Sequence, residues 1–249
     1  MKIIGVYNIK GGVGKTATAV NLAYMAQQDQ KRVLIWDLDP QAAATFYFRV
    51  KPKVKDSHKI LKGKRPIDLD RIIKATDFDG LDILPADFSY RNMDQLFSNK
   101  NKPAAQLLRL LRPLSAHYDV IFLDCPPNIS IVSENIFKAA DVLIIPTIPT
   151  TLSLRTLQQL LDFLQQQKLQ HLKLIPFYSM VDQRKKMHTD IIKTGLGTKI
   201  KILKTVIPYA SIIEKMGLER APVGHFAKDN PITKIYQTLW DEIKKQYFP

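Results

Sequence analysis

Short apolar segments rich in β-branched residues recur along the chain, and several of them show no alternation between apolar and polar positions. Runs of this kind are typical of strands that are buried on both faces of a parallel sheet. The pattern predicts strands at residues 2–7, 32–37, 81–85, 120–124, 142–146, 172–177 and 204–208.

Segments of helical periodicity lie between these runs, at residues 17–28, 103–114, 154–167 and 231–246. Strands that alternate with helices through right-handed crossovers give an α/β fold with a single doubly wound, mostly parallel sheet and helices on both faces. The sequence contains no internal repeat and no Pro/Gly/Ser-rich linker, so we expect residues 1–249 to form one domain.

The chain is strongly basic, with 37 Lys and Arg against 23 Asp and Glu and a formal net charge of +14. An excess of this size favours a polyanionic partner, either nucleic acid or an acidic membrane surface. Basic residues are dense at residues 49–65, where an ordinary solvated surface is the alternative interpretation.

Cysteine and histidine usage argues against several kinds of site. Cys125 is the one cysteine in the sequence, so neither an intramolecular disulfide nor a cysteine-rich zinc or iron–sulfur site can form within the chain. The five histidines show no metal-ligand spacing, and no Gly-x-Ser-x-Gly nucleophile elbow occurs. No apolar run approaches the roughly 20 residues that span a bilayer. We therefore expect a cytoplasmic protein.

A glycine-rich segment follows the first predicted strand and precedes the first predicted helix. It consists of Lys10, Gly11, Gly12, Val13, Gly14, Lys15 and Thr16. Glycines let successive backbone N–H groups point at a phosphate, and the following helix adds the positive end of its dipole. We expect Lys15 to reach the β- and γ-phosphates and the Thr16 hydroxyl to bind Mg²⁺. The order of strand, glycines, Lys-Thr and helix thus predicts a nucleotide-binding loop.

Aspartates stand at the ends of two predicted strands. Asp37 and Asp39 close one strand, and Asp124 follows four apolar residues at the end of another. The carboxyl ends of strands are where open α/β sheets bind ligands. Asp124 fits the Walker B pattern, in which the aspartate holds Mg²⁺ through a water. Asp37 and Asp39 could instead cap a helix or form a turn, and the pattern alone leaves both interpretations open.

The glycine-rich segment departs from the usual P-loop pattern. The position five residues before Gly14 holds Ile9 instead of glycine, and a second lysine, Lys10, precedes the glycine pair. This form resembles the deviant Walker A ATPases, a branch of the P-loop NTPases that includes ParA, MinD, the nitrogenase iron protein and arsenite-pump relatives. The resemblance implies a P-loop ATPase that uses ATP and Mg²⁺.

The resemblance also implies roles for individual residues. Lys10 is expected to cross a dimer interface to the partner's ATP phosphates, and Asp39 to orient or activate the attacking water. Lys10, Lys15 and Asp39 are then the catalytic residues, while Thr16, Asp37 and Asp124 serve the metal. The expected nucleotide contacts are residues 10–17, in which Ala17 replaces the hydroxyl residue usual at that position.

Later segments favour the ParA branch. Residues 81–86 and 140–146 resemble the family's strand before its switch region and the strand that follows Walker B. Residues 180–184 and 205–208 match segments that lie near the adenine and its ribose in ParA proteins, so Asp182 and Pro208 are the expected contacts there. Tyr209 stands where many ParA proteins carry an arginine used for DNA, which leaves the DNA-contacting residues open.

The ParA resemblance implies a functional cycle. The chain would form a homodimer on ATP, bind nonspecific DNA, and hydrolyse ATP to segregate or position a plasmid, a chromosome origin or a protein assembly. A ParB-like activator or cargo adaptor would be its partner, and the protein would associate with the nucleoid. Because the glycine-rich segment begins close to Met1, we expect no helix-turn-helix domain before it.

A MinD-like ATPase that acts on a membrane surface is the alternative. The last predicted helix carries apolar residues on one side, which suits docking on lipid but equally suits packing on the protein's own sheet. The cysteine count excludes a nitrogenase-like reductase, and we do not expect a membrane partner.

Overall fold

The computed structural model describes residues 1–51, 69, 72–98, 106–195 and 200–248. The strands are β1 (Lys2–Val6), β2 (Val33–Asp37), β3 (Lys74–Ala75), β4 (Leu81–Leu84), β5 (Val120–Asp124), β6 (Val142–Thr147) and β7 (Lys173–Tyr178). They form one sheet in the order β3-β4-β2-β5-β1-β6-β7. Every neighbouring pair is parallel except β3 with β4. The predicted doubly wound, mostly parallel sheet is therefore confirmed.

The helices connect these strands and cover both faces of the sheet. They are α1 (Lys15–Gln28), α2 (Ala43–Tyr47), α3 (Met93–Ser98), α4 (Gln106–Leu111), α5 (Ile131–Ala139), α6 (Thr151–Gln166), α7 (Lys186–Thr194), α8 (Ser211–Glu214), α9 (Met216–Glu219), α10 (Val223–Phe226) and α11 (Pro231–Tyr247). The first part of the helix predicted at 103–114, and most of the basic stretch at 49–65, lie outside the described residues.

Two hydrophobic layers flank the sheet, and each central strand supplies both of them. Ile3 and Ile121 pack on the side of α5 and α6. Their chain neighbours Ile4 and Phe122 pack on the side of α1 and α11. Because full burial of such a side chain stabilises the fold by about 1.5–3 kcal/mol, both strand faces must be apolar. This is why the predicted strands show little alternation.

The prediction of a strand at residues 204–208 is wrong. The segment runs beside the edge strand β7, where the N–H groups of Leu203 and Ile207 donate to backbone oxygens of β7, but it makes only one isolated β-bridge, between Val181 and Pro208. The N–H groups of Lys204 and Thr205 donate instead to the Glu242 carboxylate, at 2.9 and 3.0 Å. The Glu242 side chain thus accepts hydrogen bonds from two successive N–H groups, whereas in a strand alternate N–H groups would pair with the neighbouring strand. The short strand β3, which the apolar pattern did not predict, consists of two exposed residues.

Helix α11 packs against the sheet and α1 along its apolar side. Its buried residues are Ile232, Tyr236, Leu239, Trp240 and Ile243. The Trp240 indole N–H donates to Asp29 at the end of α1 at 2.8 Å, and the Lys244 ammonium also bonds to Asp29. The apolar side of this helix is therefore part of the core. Within the described ranges, no helix is long and apolar enough to cross a bilayer.

Candidate active site

The glycine-rich loop connects β1 to α1 at the carboxyl edge of the sheet. Gly12 and Gly14 have φ values of 69° and 87°, a left-handed conformation that glycine adopts without strain. A Cβ atom at Gly11 or Gly12 would meet no atom within 4 Å, so the space beside the loop is open. Gly14 precedes α1 without a side-chain cap, which leaves the first-turn N–H groups available to a ligand. This geometry suits the binding of a phosphate.

Asn8 fixes the start of the loop. Its side-chain oxygen accepts a hydrogen bond from the Lys10 N–H at 2.9 Å, and its amide group donates to the Pro146 carbonyl at 2.8 Å. The residue is 2% exposed. We did not predict this role, although a polar residue directly after an apolar strand is a signal that could have indicated it.

The two lysines of the loop occupy different surroundings. The Lys15 ammonium is buried and donates to the Lys10 carbonyl at 3.1 Å. Burial lowers the pKa of Lys15, while the negative charges of Asp124 and Asp39 act in the opposite direction. The Lys10 ammonium reaches away from the loop to the Ser153 hydroxyl at the start of α6, at 3.1 Å. Ser153 was not among the predicted residues.

Asp37 is fully buried and already bonded to the protein. One carboxylate oxygen accepts from the Thr45 N–H and hydroxyl at 2.8 and 2.7 Å, and the other accepts from the Asp39 N–H at 3.2 Å. Burial raises the pKa of Asp37 to about 6, although the Thr45 bonds oppose the shift. With both oxygens engaged, Asp37 suits an outer position around a metal better than direct ligation. Thr45 gave no signal in the sequence.

Asp124 is buried without any such partner. It lies beside Asp37 in the register of β2 and β5, and neither of its carboxylate oxygens accepts a hydrogen bond from the described residues. Burial raises the pKa of Asp124 well above its usual range, the Asp37 charge adds to the shift, and the nearby Thr16 hydroxyl opposes it. An unpaired buried carboxylate is costly unless a cation meets it.

The donor set therefore fits Mg²⁺, which binds one or two protein oxygens and completes its shell with water and phosphate oxygens. Asp124 and Thr16 supply oxygen donors beside the phosphate loop. In the part of the chain that the structure describes, no group of three or more His, Cys, Asp or Glu side chains could hold a metal ion on its own.

Asp39 lies at the mouth of the site and is half-buried. One of its oxygens accepts from the Gln41 N–H at 2.9 Å, so the turn after β2 fixes the carboxylate. Thr16 and Ala17 are half-buried in the first turn of α1. The residues predicted to bind phosphate and metal therefore lie together at one edge of the sheet, and their roles stay predictions.

Asp182 and Pro208 come together through the bridge between Val181 and Pro208. The Asp182 carboxylate pairs with the Arg184 guanidinium at 2.9 and 3.0 Å, and this contact lowers the pKa of Asp182 to about 2. The Asp182 N–H donates to Nδ1 of the buried His188 at 3.1 Å. We call residues 180–184 and 205–208, which the sequence predicts to lie near the adenine and its ribose, the base-side segments.

A glycine-rich loop that opens onto a helix N-terminus, a buried lysine within it and an unpaired aspartate on a neighbouring strand define the class of protein. They form the nucleotide site of a P-loop NTPase, and Lys10 gives it the deviant Walker A form.

Comparison with known proteins narrows this class. The family model AAA_31, an AAA domain, matches residues 1–175. The sporulation initiation inhibitor protein Soj of Bacillus subtilis is 34% identical over 97% of this chain and 98% of its own length. The chromosome partitioning protein ParA of Myxococcus xanthus is 30% identical over 83% of this chain and 75% of its own length. The chain belongs to the ParA/MinD superfamily of partition ATPases.

A solved structure supports the same fold. Cobyrinic acid a,c-diamide synthase from Mycobacterium smegmatis, solved with a bound ATP analog and magnesium, is 25% identical with a TM-score of 0.85 over 100% of this chain and 96% of that one.

Proposed function

We propose that residues 1–249 form a single Mg²⁺-dependent ATPase domain that dimerises on ATP, binds nonspecific DNA and hydrolyses ATP to position a cargo. The observation that carries this proposal is the unpaired Asp124 carboxylate beside Lys15 and the open N-terminus of α1. Mg²⁺ would supply a positive charge for Asp124, and a triphosphate would supply negative charge for Lys15 and the N–H groups of α1. The ATP analog and magnesium bound to the similar solved structure support the same pair of cofactors.

Each loop residue has a proposed role in binding. The backbone of residues 10–17, including Gly11, Gly12 and Val13, surrounds the phosphates, and Lys15 binds the β- and γ-phosphates. Thr16 and Asp124 hold Mg²⁺, with Asp37 outside them. The metal, when bound, neutralises charge that develops on the transferring phosphoryl group.

Asp39 is the proposed residue for the attacking water, which its carboxylate orients or activates. Its half-exposed position at the mouth of the site leaves access for a water. Lys10 is proposed to act across the dimer, where its charge would stabilise the transferring phosphoryl group of the partner's ATP. For this it must leave Ser153, its partner in the single chain. On the base side, Asp182 and Pro208 are proposed to line the adenine and ribose.

The partner in DNA binding is the phosphate backbone. The net charge of +14 per chain doubles in a dimer, which supports binding that depends on ATP and ignores base sequence. Lys244 and Arg220 already have protein partners, since Lys244 pairs with Asp29 and Asp241, and Arg220 stacks on Phe46 at 4.6 Å. Other basic residues are therefore the better candidates. A ParB-like activator or cargo adaptor completes the proposed cycle, on the nucleoid in the cytoplasm.

The helix predicted as the membrane-docking alternative is packed in the core. Helix α11 uses its apolar side in the core, so lipid docking would require the helix to leave the sheet. Cys125 is fully buried, and burial raises the pKa of its thiol, so this residue does not suit a nucleophile.

Two binding assays run side by side test the proposal. The protein is mixed with random-sequence DNA or with anionic phosphatidylglycerol vesicles, with ADP or ATP and Mg²⁺. We expect the protein to retain DNA in the presence of ATP and not of ADP. The logarithm of the DNA affinity should decrease as the logarithm of the salt concentration rises, by roughly 0.9 for each phosphate contact. Vesicle binding without DNA retention would reject the proposal in favour of the MinD-like alternative.

A further inference from the structure

Tyr7 connects the phosphate loop to the loop that follows Asp124. It comes directly after β1 and is fully buried, with its ring in edge-to-face contact with Phe137 of α5 at 4.9 Å between centroids. Its hydroxyl donates to the backbone carbonyl of Asn128 at 3.0 Å. Asn128 itself is exposed, so a core hydroxyl holds the backbone of a surface loop.

The loop in question spans residues 125–130 and joins the metal-site aspartate to α5. Pro126 and Pro127 have no N–H groups, so this part of the backbone cannot donate a hydrogen bond to the rest of the protein. The far end of the loop is fixed where the Ser130 N–H donates to the Ser133 hydroxyl at 2.8 Å and the Val132 N–H donates to Asp94 at 2.9 Å. Tyr7 supplies an anchor between the proline pair and that fixed end.

The other end of this connection is rigid. The Tyr7 N–H donates to the Ile144 carbonyl on β6 at 3.0 Å, and the next residue, Asn8, holds the Lys10 N–H. Tyr7 therefore stands on the same short piece of backbone that fixes the start of the phosphate loop. A shift of the Asn128 carbonyl relative to the phosphate loop has to break or bend the tyrosine hydrogen bond.

We propose that Tyr7 is a positioning residue for ATP hydrolysis, whose hydroxyl holds the loop after Asp124 in register with the phosphate loop. The catalytic part of this inference rests on the proposed ATPase function, whereas the effect on the loop does not. The buried Tyr7 hydroxyl contacts the Asn128 carbonyl and the Ser133 side chain, which itself holds the end of the same loop, so its effect on turnover passes through this loop.

The variant Tyr7→Phe isolates the hydroxyl because phenylalanine keeps the ring against Phe137. Tyr178→Phe is the matched control, since Tyr178 is also a buried tyrosine directly at a strand end and its hydroxyl has no partner among the described residues. Both variants and the wild type are followed by hydrogen–deuterium exchange without nucleotide and by steady-state ATP turnover with Mg²⁺.

We expect the amides of residues 128–131 to exchange severalfold faster in Tyr7→Phe alone. We also expect its kcat to fall about fivefold, the size of effect that one net hydrogen bond produces, with KM unchanged because the phosphate contacts remain. Unchanged loop exchange, an equal change in Tyr178→Phe, or a kcat equal to or above that of the wild type would overturn the inference. A wild type without ATPase activity would reject the proposed function instead, and the exchange measurement would still decide whether Tyr7 holds the loop.

Discussion

The phosphate end of the site and its proposed base side are built in different ways. At the phosphate end, residues 8–16 form one continuous segment, and the aspartates it faces close the adjacent strands β2 and β5. On the proposed base side, the two segments are separated in the sequence by the stretch that contains α7, and they meet at one isolated bridge. Side chains from other helices hold them: Glu242 of α11 binds the N–H groups of Lys204 and Thr205, and His188 of α7 accepts from Asp182.

This difference predicts how each part fails. The phosphate end has charged groups and backbone N–H groups without partners among the described residues, so substitutions there should change both ATP affinity and the rate of hydrolysis. The base side is held by neutral and charged side-chain contacts within the protein, so its substitutions should act on affinity alone and by smaller factors.

The largest effect is expected from Lys15→Ala. Loss of a charge-assisted contact to two phosphates should weaken ATP binding by about 100-fold or more, and turnover should disappear with it. Isothermal titration calorimetry with ATP and Mg²⁺ measures the change, and Lys31→Ala, which removes an exposed lysine, is the control. Binding at wild-type strength in Lys15→Ala would remove the lysine from the phosphate site.

Asp39→Ala should retain ATP but lose turnover by about 100-fold, because a carboxylate that acts on water contributes to the transition state more than to ground-state binding. Light scattering should then show an ATP-bound dimer that persists. Asp79→Ala, at an exposed aspartate, is the control. Normal turnover in Asp39→Ala would exclude Asp39 from the mechanism.

Lys10→Ala should bind ATP normally and lose dimerisation or hydrolysis, since only Lys10 is proposed to act across the interface. We expect a loss of turnover of at least about tenfold. Ser153→Ala is the informative companion, because it removes the partner of Lys10 in the single chain and leaves the lysine in place. A Lys10→Ala protein that dimerises and hydrolyses ATP like the wild type would contradict the role in trans.

Glu242→Ala tests the base side. Loss of the contact to residues 204 and 205 should loosen Pro208 and weaken ATP binding by about threefold to tenfold, while the affinity for inorganic tripolyphosphate stays the same. Glu242→Gln keeps one acceptor oxygen, so its ATP affinity should lie between those of the wild type and Glu242→Ala. Equal weakening for ATP and tripolyphosphate would mean that the contact supports the whole fold instead of the base side.

The smallest effect is expected from acid. Burial lowers the pKa of His188, and the charge of Lys185 adds to the shift. The unfolded chain therefore takes up a proton near pH 6.5 more readily than the folded protein. The stability from neutral His188 is present above this pH and is lost as the pH falls below it. The midpoint of thermal unfolding should drop by a few degrees more between pH 7.5 and 5.5 in the wild type than in His188→Gln. An identical pH dependence would refute this assignment.

The same contrast explains what the sequence could predict. Local sequence patterns predict the six long strands and the phosphate loop. The apolar runs that end in Asp37 and Asp124 also indicate where the carboxyl edge of the sheet lies. The segment at 204–208 has the same composition as a strand, but Glu242, which lies 38 residues after Lys204, accepts hydrogen bonds from the N–H groups of Lys204 and Thr205. Thr45 bonds to Asp37 and Ser153 bonds to Lys10 only because the fold brings these residues together, so no pattern in the sequence indicated them.

The hydrogen bond from the Trp240 indole to Asp29 places a fluorescent side chain at the contact between α11 and the end of α1. The chain has two tryptophans: Trp240 on α11, and Trp36, which directly precedes Asp37 in β2. In Trp36→Phe the tryptophan emission comes from the C-terminal helix alone, and in Trp240→Phe it comes from the strand that ends in Asp37. Nucleotide titrations of these two single-tryptophan proteins separate events at the carboxyl edge of the sheet from events at the chain's end, without an attached dye.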